Sequence, residues 1–346
     1  MKRVCMVLIT LLLLTTTAHA LPLAETLPEG LRAAVEEDSL AAGAAWLAQS
    51  ARDAAAELLR DGVRDAALLT LAALLCGAVE GIADTAGATR YVSWCGVLVL
   101  TTLAAGDLRA LIGLGARTVD ELGTLSKLLL PTLATAMAAG GFVSAAGVWQ
   151  VTTLMVCEAL TNAVERLLLP LVYCYIAASA AGAMLEESRL DLLADGVKKL
   201  VTGGLTALIV AFTGYLALAG VLTGSADRTA VKVTKLAVSG AIPVVGGVLS
   251  ELTESVLAAA GTLRGTVGVV GVLAIGAVCL VPLLRLGLQF LLYKLAAFAA
   301  GLVGTKALGE YLDRLGGAFA LVFAMTATCA LILLVALLVA ATIALS

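Results

Sequence analysis

Long apolar stretches, at about 128–157, 167–185, 200–223, 266–293 and 318–345, constrain this chain more than any other feature. Crossing the hydrocarbon core of a bilayer takes roughly 20 consecutive apolar residues, and most of these stretches reach that length. Two shorter runs, 66–82 and 91–105, read as a tight hairpin or as interfacial segments. A soluble fold of this size needs polar residues to cover its surface, but only 14% of the residues are charged and 61% are hydrophobic. Ordinary globular chains are roughly 45–50% apolar and about 25% charged. The fold class that follows is all-α: a polytopic integral membrane protein with about 6–8 membrane segments. Basic residues fall on both sides of any alternating assignment, so the positive-inside rule chooses no orientation.

The first 20 residues have the three parts of a secretory signal. Lys2 and Arg3 precede an apolar run from Val4 to Leu14, and Ala18-His19-Ala20 supplies a small-x-small cleavage site. The alternative is an uncleaved first helix, for which the apolar run is short. His19 is the only histidine, so cleavage leaves a chain without imidazole and excludes histidine triads, bases and metal sites. Beyond Cys5 the cysteines (Cys76, Cys95, Cys157, Cys174, Cys279 and Cys329) are widely spaced and form no CxxC pair. Zinc and dithiol chemistry therefore have no local support. There is no Gly-rich nucleotide loop, and no basic–aromatic tract that would suit nucleic acid. The expectation is a non-enzyme with no cofactor, no metal and no nucleic-acid partner.

Residues 21–65 alternate charges with Leu, Ala and Trp46 at helical intervals, which predicts an amphipathic helix outside the membrane, with a plain solvated connector as the alternative. Two later segments do not read as ordinary spans. In 236–250, Pro243 is followed by Gly246 and Gly247; in 128–150, Pro131 is followed by Gly140 and Gly141. Proline removes a backbone donor and glycine permits unusual torsions. Each segment is either a broken or re-entrant helix, which must sit in protein or beside water, or a kinked span packed through small residues.

The two Pro–Gly segments lie at matching offsets, as do Pro170 and Pro282, and Gly203-Gly204 and Gly316-Gly317. This spacing points to an internal duplication. The implied organisation is a signal at 1–20, a polar region at 21–65, a membrane hairpin at 66–106, and repeats at 107–223 and 224–346.

The stretch 226–265 carries the densest pattern of charge. Arg228, Lys232 and Lys235 share one helical face, and Glu251 and Glu254 share another beyond the Pro–Gly break. A basic arm, a turn and an acidic arm would fold into a hairpin. Its charges either line a path or contact a partner, or else mark the water-facing edges of a membrane segment.

The same stretch resembles the stage III sporulation protein AE family. The resemblance is carried by Asp227-Arg228-Thr229, Lys232, Lys235, Ile242-Pro243-Val244-Val245-Gly246-Gly247, Ser250 and the run from Leu263-Arg264 to Val267-Gly268. Leu130-Pro131 and Ala139-Gly140-Gly141, within 129–150, are similar to that family's other characteristic segment. The resemblance implies a multi-pass protein in the mother-cell membrane around the forespore, acting in a transenvelope channel that supports forespore integrity and late gene expression. It implies as partners the other stage III A-operon sporulation proteins and a forespore-side membrane protein, besides the bilayer and further copies of the chain. It carries over no catalytic residue. The rival reading from the residues alone is a stand-alone permease that binds a small solute at broken helices. A purely structural anchor is a third.

Overall fold

The computed structural model describes residues 40–82, 86–139, 143–185, 188–222, 266–303 and 306–344. All of these residues are helical, and no strand occurs among them. The elements are α1 (Leu40–Ile82), α2 (Ala86–Ala139), α3 (Val143–Ala163), a π-helical turn (Val164–Leu168), α4 (Leu169–Leu185), α5 (Ser188–Leu222), α6 (Thr266–Val303) and α7 (Lys306–Ala344). With α3 and α4 running together through the π turn, six helices are long and apolar enough to cross a membrane. The chain is an all-α, multi-pass membrane protein.

Lipid offers no hydrogen bonds, so each backbone group must be satisfied within its own helix. The hydroxyls follow the same rule. Thr118 donates to Leu114 O, Thr206 to Thr202 O and Thr326 to Val322 O, each one turn back. Such back-bonding lets threonine sit in an apolar helix without a partner from elsewhere.

The direction of each helix follows from its contacts. Gly43 and Gly62 of α1 face Leu273 and Leu292 of α6 in the same order, so those helices run parallel. Gly287 faces Phe323 and Gly316 faces Tyr293, so α6 and α7 are antiparallel. Gly123 lies against Thr161, Lys127 pairs with Glu158 at 3.3 Å, and the Trp94 indole N–H donates to Met184 O. These contacts run α2 antiparallel to α3–α4. Thr153 and Tyr215 share a hydrogen bond of 2.9 Å, and Gly204 meets Leu168, so α5 runs back along α3–α4. The result is an up-and-down bundle around α7, whose residues Ala327–Leu337 are all buried.

Several helices run past the limits that the apolar runs outline. The runs 66–82 and 91–105 are the C-terminal part of α1 and the N-terminal part of α2, both longer helices than those runs outline. The charged stretch 107–127 continues α2, and 188–199 forms the first turns of α5. In 107–127 the apolar residues Leu108, Leu111, Ile112, Val119, Leu122 and Leu125 are buried, while Arg109, Arg117, Asp120, Glu121 and Lys127 are exposed. One-sided charge of this kind is compatible with an unbroken amphipathic helix. Pro131 lies inside α2, which continues to Ala139. Gly140 and Gly141 lie outside the described residues.

Candidate functional site

A recess of about 650 Å³ opens where α1, α5, α6 and α7 meet. Its walls are apolar, from Leu58 on α1, Leu284, Leu288 and Leu291 on α6, and Leu321 and Phe323 on α7. Lys198 and Thr202 of α5 and Lys294 of α6 add polar groups. Volumes of 300–1,000 Å³ are typical of pockets that hold small ligands. Here the recess exists because α5 and α6 each pack on α7 and leave a space between them.

Around this recess runs a set of paired charges. Lys294 donates to Asp313 at the start of α7, and its ammonium lies 5.8 Å from the Phe290 ring centroid. The next residue, Arg314, reaches across to α5 and places Nη2 3.0 Å from Asp191 Oδ1. Its Nη1 is buried with no hydrogen-bond partner, although the side chain is still 20% exposed. Gly182 makes room for this crossing, and Gly317 for a tyrosine nearby. A Cβ on Gly182 would lie 2.6 Å from Asp191 Oδ1, and one on Gly317 would lie 2.7 Å from the Tyr175 hydroxyl. Gly317 also lines the recess.

A second polar node joins α2 to α6. Asp107 Oδ2 accepts hydrogen bonds of 3.1 Å from Gln289 Nε2 and 3.1 Å from the Tyr293 hydroxyl. Tyr293 is fully buried and packs edge-on against Phe319, with centroids 4.8 Å apart. Asp65 of α1 and Arg285 of α6 lie close enough to act on Asp107 electrostatically. The node is a cross-helix clamp with its polar atoms turned toward one another.

Arg228, Lys232, Lys235, Pro243, Gly246, Gly247, Glu251 and Glu254 lie outside the described residues, so the structure neither gathers nor separates them. Sequence reasoning passed over Asp107, Asp191, Gln289, Tyr293, Lys294, Asp313 and Arg314. A usable signal did exist: Gln289, Tyr293 and Lys294 interrupt an apolar run at spacings of four and one, and polar residues at membrane depth seek partners.

Comparison with known proteins adds one family. The model of the stage III sporulation protein AE family matches residues 67–344. The stage III sporulation protein AE of Bacillus subtilis (strain 168) is 22% identical over 240 residues, covering 69% of this chain and 60% of the relative. The match therefore spans less than two thirds of that relative's length. No solved structure matches.

Proposed function

The chain belongs to the stage III sporulation protein AE family, and from that membership we propose that it is a membrane subunit of the channel linking mother cell and forespore. In this reading it sits in the mother-cell membrane around the forespore. It assembles there with the other stage III A-operon proteins and a forespore-side membrane protein, and it supports forespore integrity and late gene expression. A sporulation role follows from the family; the conduit is our inference.

The observation that favours an assembling subunit over a stand-alone permease is the chemistry of the core. Among the described residues, the buried polar side chains are hydroxyls and one amide, Gln289, and none is charged. An ion-coupled carrier holds charged or strongly polar groups at its central site. A conduit built between chains needs no such path through one bundle.

Deleting the gene in its native host and imaging sporulating cells tests this reading. The expected result is arrest after engulfment, with small or collapsing forespores, reversed by an ectopic copy. Normal spores with a growth or uptake defect would remove the conduit reading in favour of the permease. Purified protein in liposomes separates the two again, because only a permease moves solute unaided.

A further inference from the structure

The recess between α1, α5, α6 and α7 is kept open by small residues. Gly287 of α6 and Gly317, Ala320 and Ala324 of α7 all line it, where larger side chains would fill the space. Its α6 wall runs from Leu283 to Lys294, or roughly 16 Å at the helical rise. Past that wall α6 continues with Leu295, Phe298 and Leu302, all exposed. From Leu291 onward these residues are spaced four, three and four apart, so they share one helical face. Leu291 is itself exposed and lines the recess. A single apolar stripe therefore leads from the outer surface of the bundle into the cavity.

Apolar walls offer water no partners, and cavities lined this way stay dry or take apolar ligands. In a bilayer the apolar material at hand is the lipid tails, to which the α6 stripe lies open. A volume of about 650 Å³ has room for one acyl tail but not for a whole two-tailed lipid. The polar side of the recess decides which lipid fits. Lys294 has its charge met by Asp313. Lys198 does not: among the described residues, no carboxylate lies within ion-pair distance of it. The Thr202 hydroxyl beside it donates to the carbonyls of Lys198 and Lys199, which leaves the exposed ammonium as the free donor at the rim. An unpaired cation beside a hydrocarbon-lined slot is complementary to an anionic headgroup, and basic pockets between membrane helices bind such lipids.

We propose that this recess binds an anionic phospholipid, with one acyl tail seated against α6 and α7 and the headgroup phosphate on the Lys198 ammonium. The second tail lies outside, along Leu295 and Phe298. The proposal does not depend on the conduit reading.

Photoaffinity labelling of the full-length protein tests it. The protein would be reconstituted in phosphatidylcholine vesicles containing a trace of phosphatidylglycerol with a diazirine on one tail. Peptide mapping is expected to place adducts on Leu288 and Leu321, which line the recess. Lys198→Gln should cut them about fivefold, the scale of one lysine's attraction to an anionic headgroup. Lys199→Gln makes the same charge change one position round α5, outside the lining, and should cut them much less. Ala320→Phe fills the slot and should abolish them, with thermal melting in detergent checking that the variant is folded; if it is not, the two lysine variants decide. Absence of adducts at Leu288 and Leu321, as when protein rather than lipid fills the slot, would overturn the proposal. So would equal labelling by phosphatidylcholine carrying the same diazirine, or equal losses from the two lysine substitutions.

Discussion

A methyl group on Gly309 would lie 3.1 Å from both Cα and N of Gly301 and 3.3 Å from Ala297 O. Those atoms are backbone and cannot swing aside, so at this crossing α6 and α7 touch through their main chains. Replacing Gly309 by alanine should separate the helices and lower stability by about 1–3 kcal/mol, the usual range for overpacking. Gly106 offers the contrast, since a Cβ there meets nothing within 4 Å. Gly106→Ala should instead hold or raise stability by roughly 0.5–1 kcal/mol, because helical glycine is entropically costly. Denaturant titration of both variants in detergent reads the difference; equal effects would remove the close-contact argument. The Asp107–Tyr293 bond works on a smaller scale. Hydrogen bonds between membrane helices average about 0.6 kcal/mol, so this clamp contributes more to register than to total stability.

The π turn governs how α3 and α4 are set against each other. Leu169 N–H donates to Val164 O, five residues back rather than four, and this inserts one extra residue into the helix just before Pro170. Proline has no N–H to donate, so the irregular turn falls where the α-helical ladder would lose a bond anyway. Five residues in the π turn rotate about as far as four in an α-helix, so the extra residue keeps α3 and α4 in step. Deleting Ala159 from the regular turns of α3 would instead rotate the rest of that helix by about 100° relative to α4. That rotation would carry Thr153 away from Tyr215 and Glu158 away from Lys127. The deletion is therefore expected to melt well below the parent protein while keeping its helical circular dichroism. Pro170→Ala, which restores a donor without changing register, should melt close to the parent. Similar melting of the two variants would contradict the register argument. Little of this was legible beforehand. Apolar length revealed the spans of α5, α6 and α7, because lipid demands it of every crossing helix. Charge hid the continuity of α2, although the buried set from Leu108 to Leu125 already carried helical spacing. The Arg314–Asp191 crossing was not legible, because its partners lie on separate helices and only the packing of α5 against α7 and of Asp191 against Gly182 brings them together.

At the scale of the whole molecule, helix length exceeds what a single bilayer needs. The 54 residues of α2 reach about 80 Å, against a hydrocarbon core of about 30 Å. Exposed Leu68, Leu71, Leu75 and Val79 give α1 an apolar outer face in its C-terminal half, whereas Arg52, Asp53, Glu57, Arg60, Asp61 and Arg64 make its N-terminal half polar outside. Long helices with such zoned surfaces suit a protein whose flanks meet partners as well as lipid. The alternation of directions gathers the helix ends into two sets. Leu40, Ala139, Val143, Leu222, Thr266 and Ala344 belong to one end of the bundle, while Ile82, Ala86, Leu185, Ser188, Val303 and Lys306 belong to the other. Cysteines or reporter tags placed singly at these positions should therefore report two classes of accessibility, with every member of a set on the same side of the membrane. If Leu222 and Thr266 fell on opposite sides, the directions that the contacts give α5 and α6 would be overturned. If instead Ile82 shared a side with Leu40, α1 would not traverse the bilayer, and the bundle would cross it one time fewer than its six long helices allow.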